Sequence, residues 1–203
     1  MRVVATTSII ADVAQNVAGD KIEVISLLPS GSDPHTWAPT PRDLVALNEA
    51  DLLLINDIGL EEGLLPILRT ISGPQVASVN ENVPIHSAEV ETDHADHAAD
   101  EEHTHTAGDP HTWQDVANVR IWTQNIATAL SALDPEHAET YAANAATYDA
   151  KLAALEGEIE DKIASIPPEA RVLVTDHDDL GYFARAHGFT VVGMIIPTTV
   201  KPC

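Results

Sequence analysis

The sequence predicts an α/β fold built on a mostly parallel sheet. Short β-rich runs alternate with helix-patterned segments from Arg2 to Val79. Capping and loop residues mark the joins between them. After an acidic, histidine-rich stretch, long helical patterns lead into a second strand–helix–strand unit.

Taken in order, Arg2–Thr6 reads as a short buried strand. Ser8–Val17 reads as a helix that Gly19 stops. Ile22–Leu28 is β-rich, and Pro29-Ser30-Gly31-Ser32 is loop chemistry. Thr40 caps the next helix, with Pro41 at its first position and Asp43 near the positive end of its dipole. Asp51–Ile55 and Gln75–Val79 read as strands flanking a short helix over Glu62–Thr70. Asp115–Leu133 is helical, and Asp134 is expected to cap a second, longer helix. There Tyr141, Ala145, Tyr148, Leu152, Leu155, Ile159 and Ile163 form one apolar stripe, implying about 30 residues of helix, roughly 45 Å long. A core helix and a helix bridging two lobes fit that stripe equally well. Ile166-Pro167-Pro168 ends it. Arg171–Thr175 then reads as a strand, Asp179–His187 as a helix closed by Gly188, and Thr190–Ile196 as another strand. Two strands and one helix are too little for a lobe with its own core, so residues 167–203 read as the opening of a domain whose remainder is missing.

Composition bounds the function. The 203 residues suffice for a real core, and 44% are apolar, which argues against wholesale disorder. The formal net charge of −22 argues against nucleic-acid binding, which needs clustered Lys and Arg. It suits a cationic ligand, although charge alone also serves solubility. The single cysteine, Cys203, permits no intrachain disulfide and no thiolate metal cluster. No stretch approaches the roughly 18 apolar residues of a membrane span. Met1-Arg2 leads straight into the first strand, so no signal peptide is expected. That is consistent with a cytoplasmic protein or with a chain that starts at a mature N-terminus.

The pentapeptide Asp-Pro-His-Thr-Trp occurs twice, at Asp33–Trp37 and Asp109–Trp113. It places His35 and His111 in matched local settings, each behind a proline that restricts the backbone. Imidazole is the commonest protein metal ligand. His177, in Thr175-Asp176-His177-Asp178, follows a strand directly and is a third candidate. Three nitrogens at ~2.0–2.1 Å would leave a fourth position for a carboxylate or water. Neutral imidazoles without thiolate suit zinc and are poor partners for hard, oxygen-preferring cations. Segment 81–108 carries His86, His94, His97, His103 and His105 on an acidic background poor in large apolar residues. It reads as a long loop that collects metal weakly; the plainer alternative is a solvated loop with incidental histidines.

With these residues in view, the chain resembles the metal-binding solute-binding proteins of zinc/manganese ABC importers, the group that includes streptococcal surface adhesins. The resemblance is carried by Val3-Val4-Ala5-Thr6-Thr7-Ser8-Ile9-Ile10-Ala11-Asp12, Val17-Ala18-Gly19-Asp20, Asp33-Pro34-His35 and Pro39-Thr40-Pro41. It continues through Asp109-Pro110-His111-Thr112-Trp113, Asp134-Pro135-Glu136, Thr175-Asp176-His177-Asp178 and Gly181-Tyr182-Phe183. It implies two α/β lobes joined by one long helix, with the metal between them. The expected division is a first lobe over 1–133 with its His-rich loop at 81–108, a connecting helix over 134–166, and an incomplete second lobe over 167–203. It implies His35 and His111 as first-lobe ligands and His177 as a second-lobe ligand. Histidine rather than glutamate at the third position, with a His-rich loop, looks like the zinc type, so Zn²⁺ is expected ahead of Mn²⁺. The family's fourth ligand, a late acidic residue, would fall beyond Cys203. A monomer outside the cytoplasmic membrane is implied, periplasmic or membrane-associated, delivering its ion to an ABC permease without catalysis. The alternatives are a zinc hydrolase using the three histidines, with Asp176, Asp178 or Asp179 as base, and a surface metal buffer or adhesin. No HExxH helix or nucleophile elbow supports the hydrolase.

Overall fold

A computed structural model of the chain describes residues 1–35, 37–61, 63–68, 73–86 and 108–195. Its main sheet is four-stranded and parallel, made of β1 (Val3–Ala5), β2 (Val24–Ser26), β3 (Leu52–Ile55) and β4 (Gln75–Ser78) in the order β2-β1-β3-β4. Alternation along the strands sorts side chains to the two faces. Val3, Ala5, Leu52 and Leu54 join one core cluster, beneath α1 (Ser8–Ala18), α4 (Val116–Leu133) and α5 (Ala138–Ala164). Val4, Leu53 and Ile55 join the other, with Leu47 of α2 (Pro41–Asn48) and Ile67 of α3 (Leu65–Leu68). Both faces are covered, which is why the strands read as continuous apolar runs. At their carboxyl ends, the buried Glu61 carboxylate accepts from the Thr6 hydroxyl at 2.6 Å and the Asn56 N–H at 2.7 Å, bracing β1 to β3. Burial pushes that carboxyl up from its ordinary range, against the pull of its donors.

The capping signals work as expected. Thr40 and Asp43 form a reciprocal capping box with Pro41 in the first turn of α2. Thr40→Ala removes that cap and is expected to cost about 1 kcal/mol, lowering the melting temperature by roughly 2–4 °C. Thermal unfolding measures it, and an unchanged midpoint would show that α2 holds without the cap.

Several expectations are corrected. The helix expected over Glu62–Thr70 is seen only at Leu65–Leu68, with Glu62, Arg69 and Thr70 outside the described residues. β2 is shorter than Ile22–Leu28. Asp134 does not cap the long helix. It opens a 3-10 turn at Pro135–His137, and its carboxylate lies 2.8 Å from His137 Nδ1 and accepts from the Tyr141 hydroxyl at 2.7 Å. Those hydrogen bonds hold it below the usual carboxylate range, Tyr141 contributing most. α5 runs 27 residues rather than about 30. Only part of its apolar stripe is buried: Tyr141, Ala145, Leu152 and Ile163 are, whereas Leu155 is 43% exposed. The physical reason is that α1 and α4 pack along the amino-terminal half of α5 and end before Leu155 is reached.

Beyond α5, β5 (Val172–Thr175) and β6 (Thr190–Met194) form a separate two-stranded parallel sheet joined by α6 (Gly181–His187). Gly188 closes α6 in the left-handed region at φ 69°, the conformation its position predicts. The α6 helix starts two residues later than expected. One face of this small sheet, with Val172, Val174, Val192 and Met194, is exposed.

Candidate metal centre

The repeated pentapeptide makes the same turn twice. Asp33 Oδ1 accepts the His35 N–H at 2.9 Å, and Asp109 Oδ1 accepts the His111 N–H at 2.9 Å. An aspartate two residues before its donor is the natural residue for this local turn. The tryptophans then separate the copies. Trp37 packs on the sheet face with Leu47 and Leu53, while Trp113 packs on the opposite face, with the His111 ring 5.2 Å away. The two loops are thus pinned to opposite sides of one sheet and converge beyond its carboxyl edge. That edge, where the strand order reverses between β1 and β3, is where open α/β sheets hold ligands.

All three predicted histidines meet there. Their ligand nitrogens lie within 4.8 Å of one another. His35 Nε2 and His111 Nε2 are 3.1 Å apart, and the ring centroids of His177 stand 5.3 Å from His111 and 5.8 Å from His35. Two nitrogens bound to one tetrahedral ion at ~2.0–2.1 Å would stand roughly 3.4 Å apart, so the spacing fits a shared ion. His111 is buried, His177 half-buried and His35 exposed. They line a cleft of about 770 Å³ together with Trp113, Gln114 and Asp179.

Two carboxylates orient the rings. Asp109 Oδ1 lies 2.7 Å from His111 Nδ1, and Asp176 Oδ1 lies 3.3 Å from His177 Nδ1. Such a pairing keeps the proton on Nδ1 and leaves Nε2 free to coordinate. The hydrogen bond from His177 also holds the Asp176 carboxyl below its usual range.

Behind His111 stands a buried polar network to which the sequence gave no pointer. Asn56 Nδ2 donates to the Pro110 carbonyl at 2.9 Å. Asn80 Oδ1 accepts from the Thr112 hydroxyl and from Trp122 Nε1, both at 2.7 Å, and Asn80 Nδ2 donates to the Asn56 carbonyl at 2.8 Å. The available clue is position: each asparagine lies just past the carboxyl end of an apolar strand, where a polar residue has no reason to be buried unless it is paired. The second strand–helix unit docks on the same loop. The Tyr182 hydroxyl donates to the Asp109 carbonyl at 3.0 Å, and a side chain at Gly181 would place Cβ 3.0 Å from Asp109 Oδ2.

Of the histidines expected to collect metal, His86 is placed outside the three-histidine cluster. Its ring packs on Tyr182 with centroids 4.8 Å apart, and its N–H donates to the Tyr182 hydroxyl at 3.2 Å. His94, His97, His103 and His105 lie outside the described residues.

Residues 3–202 match the family described as zinc-uptake complex component A, periplasmic (ZnuA). The chain belongs to this family. Among ZnuA-family relatives, the manganese ABC transporter substrate-binding lipoprotein PsaA of Streptococcus mitis is 36% identical over 195 residues, covering 93% of this chain and 60% of the relative. The manganese-binding lipoprotein MntA of Halalkalibacterium halodurans is 34% identical over 194 residues, covering 96% of this chain and 60% of its own length. The solved periplasmic zinc-binding protein TroA of Treponema pallidum superposes with a TM-score of 0.85 at 30% identity, over 99% of this chain and 68% of that one. The α/β solute-binding fold expected from the resemblance is therefore shown. The chain spans about 60% of the length of the curated relatives it matches. These relatives are substrate-binding proteins and not enzymes, which leaves the hydrolase alternative without support. They are extracytoplasmic by name, and among the described residues no helix is long and apolar enough to cross a membrane.

Proposed function

We propose that this protein captures Zn²⁺ outside the cytoplasmic membrane, as a monomer, and passes it to an ABC permease. The observation that carries the reading is the convergence of His35, His111 and His177 with their ligand nitrogens within 4.8 Å. In this reading 1–133 is the metal-binding lobe, 134–166 the connecting helix, and 167–203 the opening of a second lobe that contributes His177. His86 and the histidines of 81–108 collect metal weakly ahead of the site.

Relatives are named for manganese as well as zinc. Zinc is favoured here by ligand chemistry: three imidazoles are a borderline-soft, nitrogen-rich set, whereas carboxylate and water oxygens suit Mn²⁺. Two carboxylates are already engaged in orienting rings, which reduces the oxygen donors on offer.

Competitive titration of the purified chain tests this. Zn²⁺ is expected to displace Mn²⁺, with binding roughly tenfold or more tighter as the order of divalent affinities requires at a nitrogen site. Protons compete with the metal for the same imidazole nitrogens, so affinity is expected to fall with acidity. Tighter Mn²⁺ binding, or affinity indifferent to acid, would reverse the assignment.

A further inference from the structure

Among the described residues, two buried side-chain oxygens lack a hydrogen-bond partner: Thr175 Oγ1 and Asp179 Oδ1. Both flank His177. A carboxylate oxygen taken out of water without a donor is costly, and native proteins keep such atoms where something else satisfies them. Asp179 also lines the cleft that holds the three histidines. Its carboxylate, His177 and Asp176 form a second cluster of ligand atoms within 4.8 Å of one another, sharing His177 with the first. Asp176 is committed to the His177 ring and is largely exposed. Asp179 has no such task.

We infer that Asp179 supplies the fourth, carboxylate ligand to the ion held by His35, His111 and His177. The inference rests on the three-histidine reading above. A tetrahedral zinc site with three imidazoles has one position left for an oxygen donor, and carboxylate oxygens bind at ~2.0–2.2 Å. The Asp179 N–H already donates to the His177 carbonyl at 3.0 Å, which ties the two residues into one tight turn at the end of β5. A small side-chain rotation then carries Oδ1 toward the ion without moving the backbone. Ionised, Asp179 also lowers the net charge of a three-imidazole zinc centre from +2 to +1. The 203-residue chain thereby contains a complete coordination sphere within residues 35–179.

The experiment compares the wild-type 203-residue chain with Asp179→Asn, Asp179→Ala and His111→Ala. It uses Zn²⁺ calorimetry, and Co²⁺ absorption as a reporter of ligand set. Asp179→Asn is expected to weaken Zn²⁺ binding by about tenfold to a hundredfold, at least the loss seen when outer partners of a metal site are removed. It is also expected to change the Co²⁺ spectrum. Removing an unpaired buried carboxylate leaves the metal-free fold as stable or more so, so the metal-free melting temperature should not fall while the Zn²⁺-induced rise shrinks. Asp179→Ala guards against the asparagine oxygen standing in as a ligand. If both Asp179 variants keep wild-type affinity and spectrum while His111→Ala loses binding, Asp179 is not a ligand and the three-histidine site stands. If His111→Ala also binds as wild type, the three-histidine reading fails and the inference falls with it.

Discussion

His111→Ala is expected to lower Zn²⁺ affinity by on the order of a hundredfold or more. A four-ligand structural zinc site is worth roughly 10–16 kcal/mol in apparent binding, so one ligand accounts for about 3 kcal/mol, or about two powers of ten in Kd. The loss should exceed that share, because His111 is the anchored member of the set. It is buried, its Nδ1 is held at 2.7 Å by Asp109, and its loop is fastened through Pro110 and Thr112 to Asn56, Asn80 and Asn118. Its Nε2 therefore needs little ordering when the ion arrives. His35 is the contrast, because it is exposed. His35→Ala should cost comparable affinity but almost no metal-free stability, whereas His111→Ala should also destabilise the metal-free fold by about 1–3 kcal/mol, since the buried Asp109 carboxylate loses its ring partner. Calorimetry paired with unfolding of the metal-free proteins separates the two effects. Unchanged affinity in both variants would sink the metal site.

Asn80→Ala is expected to be the most damaging single change outside the apolar core. Asn80 satisfies three buried partners at once: the Thr112 hydroxyl, the Trp122 indole N–H and the Asn56 carbonyl. Trp122 and Thr112 are fully buried, so water cannot replace the lost bonds. Leaving each of these groups unpaired costs about 1–3 kcal/mol, so a total loss of about 3 kcal/mol or more is expected. For a chain of this size that lowers the melting temperature by roughly 6–12 °C. Urea unfolding gives the free energy directly, and a loss below about 1 kcal/mol would mean that the network rearranges around the gap. Because Thr112 directly follows His111, a weaker metal site should accompany the loss of stability.

Much of the frame was legible in the sequence because its signals are local. The capping box at Thr40 and Asp43, the apolar runs at Val3–Ala5 and Leu52–Ile55, and the glycine after α6 each act within a turn or a strand. The three candidate ligands were legible for the same reason. A repeated Asp-Pro-His turn and a strand-end histidine are written in a few adjacent residues. What misled was long-range. Asp134 had the look of a helix cap but spends its carboxylate on His137 and Tyr141. Leu155 lies on the same apolar stripe as Leu152, yet it stays exposed because periodicity says which residues share a face and not how far the neighbouring helices reach. The buried roles of Asn56 and Asn80 left no local trace, since their partners lie dozens of residues away.

The sequence by itself determined the elements and the kinds of ligand, because backbone preference and side-chain chemistry are properties of short segments. Only the tertiary structure decided that the two copies of Asp-Pro-His-Thr-Trp converge on one cleft. Their tryptophans are drawn into cores on opposite faces of the same sheet, and that packing aims His35 and His111 at each other. The same packing brings in His177 and leaves an Asp179 oxygen bare beside it. Burial determines which polar groups lose water, and it is a property of the whole fold.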